Sequence, residues 1–98
     1  MLAAIVNVFE YAMGLNFDDF ESNAMIHHAV SYNIVIIGET ADLLTEEFQN
    51  EHPDTPWRKM KGMRNFLVYD YQVESDIVWA VITNDLPLLH RQLQTYLK

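Results

Sequence analysis

The sequence predicts an all-α fold: an up-and-down bundle of four main helices with a short connector helix, formed by a single domain over residues 1–98. Two observations carry this. Apolar residues recur every three or four positions through nearly the whole chain, and no stretch sustains a period of two, so helical faces are offered to a core and strands are not. The breaks also suit helices: Gly14 after the first apolar run, Pro53 and Pro56 in mid-chain, and Ser or Thr ahead of later runs. Half of the 98 residues are hydrophobic, which supplies a core for one domain and excludes intrinsic disorder.

Leu2, Ile5, Phe9 and Met13 mark the first helix, with Gly14 placed as its C-terminal cap. This helix starts almost at Met1 with no N-cap, so a few further residues are expected ahead of it. Residues 15–21 read as a short acidic connector, and Ser22 as the N-cap of the longest helix. There Ile26, Val30, Ile34, Ile37, Ala41, Leu44 and Phe48 form one stripe, and Met25, Ala29, Tyr32, Ile36 and Leu43 a second beside it. So wide an apolar circumference predicts a central helix packed on more than one side. Gly38 in its middle sacrifices roughly 1 kcal/mol of helix propensity, which predicts close approach by a neighbouring helix. After a break over residues 51–56, Thr55 as N-cap and Pro56 at the first helical position start a helix at Trp57. It runs through Met60, Met63 and Leu67 and ends between residues 68 and 72. Ser75 caps the last helix, with its stripe of Ile77, Val78, Val81, Ile82, Leu86, Leu89, Leu93 and Leu97. Pro87 inside that stripe predicts a bend or restart near Asn84 and Asp85.

Charge is distributed unevenly. The net charge is −8, yet residues 1–57 hold ten acidic side chains and no Lys or Arg, whereas Arg58, Lys59, Lys61 and Arg64 crowd into seven positions. An acidic chain does not attract nucleic acid in bulk, but a local basic notch can hold a phosphate. The same cluster can equally answer acidic neighbours. The absence of cysteine excludes disulfides, thiolate nucleophiles and cysteine-ligated metals. The apolar opening is too short to span a bilayer and lacks the basic leader of a signal peptide, so a cytoplasmic protein without membrane association is expected. His27 and His28 are adjacent and point about 100° apart on a helix, which does not suit a shared metal. Glu39, Asp42 and Glu46 share a helix face, a pattern more often solvated than metal-binding. No metal and no cofactor is expected, and neither a nucleophile elbow nor a P-loop nor a dinucleotide fingerprint occurs.

Residues 62–71 differ from the rest. They place Arg64, Asn65, Tyr69 and Tyr71 at the end of the basic cluster. Arg64 suits bidentate grip of a phosphate, and a phenol seven residues on shares nearly the same helical face. The expected phosphate- or RNA-binding set is Arg58, Lys59, Lys61, Arg64 and Asn65.

On these residues the sequence resembles the HepT-like toxins of the HEPN superfamily, whose signature is an arginine, four to six residues, a histidine, one residue and a tyrosine. The resemblance extends over Ile36-Ile37-Gly38-Glu39, His52-Pro53 with Pro56-Trp57, Gly62-Met63-Arg64-Asn65, and Val78-Trp79 with Asn84-Asp85-Leu86-Pro87. It implies a dimerising helical bundle acting as a metal-independent endoribonuclease on RNA such as tRNA or mRNA. It also implies a type VII-like toxin–antitoxin pair, in which a cognate MNT-type nucleotidyltransferase antitoxin silences the toxin by transferring AMP to the signature tyrosine. Carried onto this chain, Arg64 matches the arginine, Asn65 the polar residue after it, and Tyr71 the tyrosine and AMP acceptor. The catalytic set is then Arg64, Tyr69 and Tyr71, with one departure: Tyr69 stands where the histidine belongs. A histidine titrates near 6.5 and a tyrosine near 10, so a group poised for proton exchange at neutral pH is replaced. The copy is expected to be inactive or impaired, through an inactivating change or as a native non-catalytic relative.

On a continuous helix residue 69 lies about 500° beyond Arg64, some 140° away around the axis. A shared site therefore requires the helix to end by residue 69, or two chains to contribute, as a twofold homodimer would with Arg64 near its axis. Two other functions stay open: a non-catalytic module that binds a nucleotide or a partner, and a plain helical interaction protein. The acidic surface of residues 1–57 would suit a basic partner.

Overall fold

The structure, a computed structural model, describes residues 1–69, with the backbone alone at Tyr69, and residues 75–96. The described elements are α1 (Leu2–Ala12), α2 (Phe17–Ser22), α3 (Ala24–Leu43), α4 (Glu46–Glu51), α5 (Trp57–Tyr69), α6 (Ser75–Ala80), a π-turn (Val81–Asp85) and α7 (Leu86–Tyr96). The last three form one interrupted arm, so α1, α3, α5 and this arm are the four main helices. The short helices number two, α2 and α4, where the sequence suggested one.

α3 is the centre. It packs against α1 on one side and, most extensively, against α5 on the other. Ile5 and Val8 of α1, Phe20 of α2, Val30, Ile34, Ile37 and Ala41 of α3 meet Val78, Val81, Ile82, Leu86, Leu89 and Leu93 of the arm in one core. Asn33 is buried among them and donates to the Ala29 carbonyl (2.8 Å), while accepting from the Asn7 amide across the α1–α3 contact (3.3 Å). Gly14 adopts φ +77° just past the end of α1, a conformation that a β-carbon would strain. Among the described residues no helix is long and apolar enough to cross a membrane.

Several local expectations are corrected. The acidic connector is itself helical: Asn16 and Asp19 close a reciprocal capping box at the start of α2. α3 is capped by Asn23, whose side chain accepts from the Ile26 amide (3.1 Å), and not by Ser22, which ends α2. The long helix does not reach Phe48. Leu44 turns extended (ψ 144°), Thr45 caps α4 by accepting from the Phe48 amide, and Glu46 and Glu47 favour that new N-terminus. Gln49 then folds back and donates to the Ala41 carbonyl (2.9 Å), which also accepts from the Leu44 amide at the end of α3 (3.2 Å).

Thr55 does not cap α5 with its side chain. Its hydroxyl is buried against α7, 3.1 Å from Gln92 Oε1 and 2.7 Å from the Tyr96 hydroxyl, and the Pro56 carbonyl accepts the first helical bond from Met60. The second apolar stripe of α3 is not covered along its length either: Met25, Tyr32 and Leu43 are 81%, 67% and 84% exposed. The Cα envelope of 41 × 28 × 17 Å holds about two layers of helices, so one face of α3 stays open. The break foreseen at Pro87 is the π-turn, in which the Leu86 amide reaches back five residues to the Val81 carbonyl.

Candidate functional site

The contact between α3 and α5 is built on Gly38. A β-carbon there would collide with the Arg64 side chain and lie 2.7 Å from the Met60 carbonyl oxygen. The absent side chain lets the two helices approach closely, which is the compensation that its propensity penalty calls for. It also seats Arg64: the first carbons of that side chain lie over Gly38, and only 18% of the side chain is exposed.

At the far end of Arg64, Nη2 lies 3.4 Å from Asp42 Oδ2, one helical turn beyond Gly38 on α3. Lys61 Nζ takes the other carboxylate oxygen, Oδ1, at 3.0 Å. The hydrogen bond from Lys61 is the leading cause that holds the Asp42 carboxyl below its ordinary range, against a smaller opposing effect of burial and with further help from the charges of Lys61 and Arg64. Arg64 Nε is buried without a hydrogen-bond partner among the described residues. A guanidinium offers five donors, and among the described residues this one makes a single long contact, from Nη2 to Asp42.

The basic cluster thus divides. Arg58 and Lys61 line a polar notch with Ala41, Asp42, Gln49 and Trp57, with about 490 Å³ of empty space open to solvent, and Arg64 joins it through Asp42. Lys59 faces elsewhere, toward Asp85 of the π-turn at 3.0 Å. Asn65 is exposed beside Arg64. α5 remains helical through residue 69, so positions 64 and 69 are separated by about 140° around one axis. Tyr71, the expected AMP acceptor, and Asp70 before it lie outside the described residues.

Sequence reasoning missed Asp42 as a partner of this cluster and placed it instead on a carboxylate stripe with Glu39 and Glu46. The break at Leu44 puts Glu46 on another helix, and Asp42 turns to α5. The available signal was its position four residues after Gly38, on the face that the glycine opens. Among the described residues no group of three His, Asp or Glu side chains is placed to hold a metal. His27 stacks on buried Phe20 (5.2 Å between ring centres), and burial, with His28 second, lowers its pKa.

Residues 1–96 match the Ribonuclease HepT-like family. The chain belongs to it. Its HepT-like relatives span most of its length. A protein of Methanocaldococcus jannaschii, provisionally named as an RNase, is 27% identical over 96% of this chain and 87% of its own length. One from Caldanaerobacter subterraneus subsp. tengcongensis, named in the same way, is 32% identical over 93% of this chain and 82% of its own. A Thermococcus cleftensis protein, provisionally named ribonuclease HepT, is 32% identical over 88% and 79%. No solved structure matches the chain. Within the seam between α3 and α5, Gly38 seats Arg64, and Asp42 draws Arg64 and Lys61 together.

Proposed function

We propose that this chain is the toxin component of a type VII-like toxin–antitoxin pair, a metal-independent endoribonuclease of the cytoplasm whose activity is attenuated by Tyr69. The observation that carries the reading is Arg64: a guanidinium seated on Gly38, mostly withdrawn from water, with Nε unpartnered among the described residues and Nη2 3.4 Å from Asp42. A packed guanidinium beside further cations suits a phosphodiester, whose oxygens accept charge-assisted hydrogen bonds from Arg64 and from the neighbouring Lys61 ammonium. In such a site Arg64 binds the scissile phosphate and stabilises charge on its oxygens as the 2′-hydroxyl attacks. Residue 69 would exchange protons with the attacking and leaving oxygens, and Tyr69 is poorly matched to that at neutral pH.

The register of α5 supports a homodimer. One continuous helix does not aim positions 64 and 69 at the same phosphate, so a second copy supplies the complementary group across a twofold axis. Tyr71 is then the residue that a cognate MNT-type nucleotidyltransferase would load with AMP.

The test is incubation of the purified chain and its Tyr69→His variant with tRNA and total RNA in EDTA. Cleavage by the histidine form alone supports an attenuated toxin. Failure of both forms favours the binding module, and cleavage by the tyrosine form overturns the assignment of residue 69 as the proton-handling group.

A further inference from the structure

Asp42 stands in a revealing place. Its two carboxylate oxygens are shared between two cations, Oδ1 with Lys61 and Oδ2 with Arg64, which is how two oxygens of a phosphodiester would be divided between the same groups. Its notch is also walled by Arg58, for which no acidic partner occurs among the described residues. Asp42 and Lys61 are both substantially exposed, and ion pairs of that kind hold weakly against competing ions. Arg64, in contrast, is kept in place by its packing on Gly38 rather than by its long contact with Asp42.

We propose that Asp42 is a built-in competitor of RNA: its carboxylate occupies the seat of a backbone phosphate between Lys61 and Arg64, and RNA engages these cations only by displacing it. This rests on the reading of the Arg64 cluster as an RNA site. The consequence is a lower affinity for every RNA, independent of sequence, and a binding reaction in which the two cations release few counterions because they are already neutralised.

The experiment is titration of a labelled single-stranded RNA, made uncleavable with 2′-O-methyl groups, into the full chain, Asp42→Asn and Glu47→Gln. The last controls for net charge on an exposed residue of α4. Asp42→Asn is expected to bind roughly three- to tenfold tighter at low salt, and its plot of log K against log salt to steepen by about 0.7 to 1.4, one to two additional phosphate contacts. Adding Lys61→Gln to Asp42→Asn should abolish most of the gain. Thermal melting checks that Asp42→Asn is folded, and Asp42→Ser replaces it if it is not. Unchanged or weaker binding by a folded Asp42 variant overturns the proposal and makes Asp42 a positioning residue for Arg64. An equal gain from Glu47→Gln overturns it in favour of bulk charge. If no form binds at the lowest salt, the RNA reading of the cluster fails, and the role of Asp42 with it.

Discussion

The two ends of the α5 contact region treat polar groups in opposite ways. At the start of α5, Thr55 is bonded to Gln92 and Tyr96, Gln92 also donates to the Asp54 carbonyl, Trp57 Nε1 donates to the His52 carbonyl (2.9 Å), and the His52 ring stacks on Tyr96 at 3.9 Å. Two turns further along, Arg64 is largely hidden but leaves Nε without a partner among the described residues. Buried polar groups are nearly always paired, so the first cluster is a clasp, whereas at the second Arg64 Nε stands unpaired among the described residues. On the proposed reading of Arg64, substitutions at the two ends should separate stability from RNA binding.

Substitutions can test that separation, beginning with the seam that positions both ends. Gly38→Ala would gain about 1 kcal/mol of helix propensity but must push α5 outward, because the colliding atoms include the Met60 carbonyl. A net loss of about 1–3 kcal/mol in chemical unfolding is expected, together with weakened RNA binding. A Gly38→Ala variant more stable than the parent would mean that the seam is looser than described.

The clasp should fail in stability alone. Thr55→Val leaves Gln92 and Tyr96 without their shared hydroxyl and is expected to lose about 1–3 kcal/mol, with RNA affinity unchanged. Arg64→Met is its mirror. Methionine keeps the stem over Gly38 and removes a buried unpaired donor, so the unfolding midpoint should stay within about 1 kcal/mol of the parent while RNA binding falls at least tenfold. A collapse in stability for Arg64→Met would erase the contrast.

The smallest effects concern pH. Because the folded-state pKa of His27 is lowered by burial, the unfolded chain binds more protons below about pH 6.5, and stability declines as pH falls through that region. A melting series from pH 7.5 to 5.5 should show this slope, and His27→Gln should flatten it. The depressed Asp42 carboxyl acts with the same sign at lower pH: its contribution is present above its unfolded value, near 3.8, and is lost in more acid solution.

Much of the fold was legible because it depends on periodicity. The apolar spacing located the main helices, Gly38 announced the close contact, and Pro87 the interruption. What escaped was decided by side chains choosing among partners. Leu44 and Phe48 continue the apolar stripe without fault, yet Thr45 followed by two glutamates starts a new helix between them. Thr55 fits an N-cap by type, but a hydroxyl 2.7 Å from Tyr96 is a tertiary fact invisible to local pattern. Arg64 stood out by its type and its neighbours; that Asp42 lies beside it and Lys61 depends on the path of a different helix.

The π-turn carries a last consequence, in helical phase. Between buried Val78 and buried Leu93 lie fifteen residue steps, which on a regular α-helix make about four turns and 60° too many. The wider turn absorbs that excess and brings the α7 face back toward the core. A chain one residue shorter would reach nearly the same phase on an uninterrupted helix, but Pro87 would then press its ring on a carbonyl one turn earlier. The surplus residue and the proline thus solve one problem: the loop of slack that accommodates the ring also keeps Gln92 and Tyr96 turned toward Thr55.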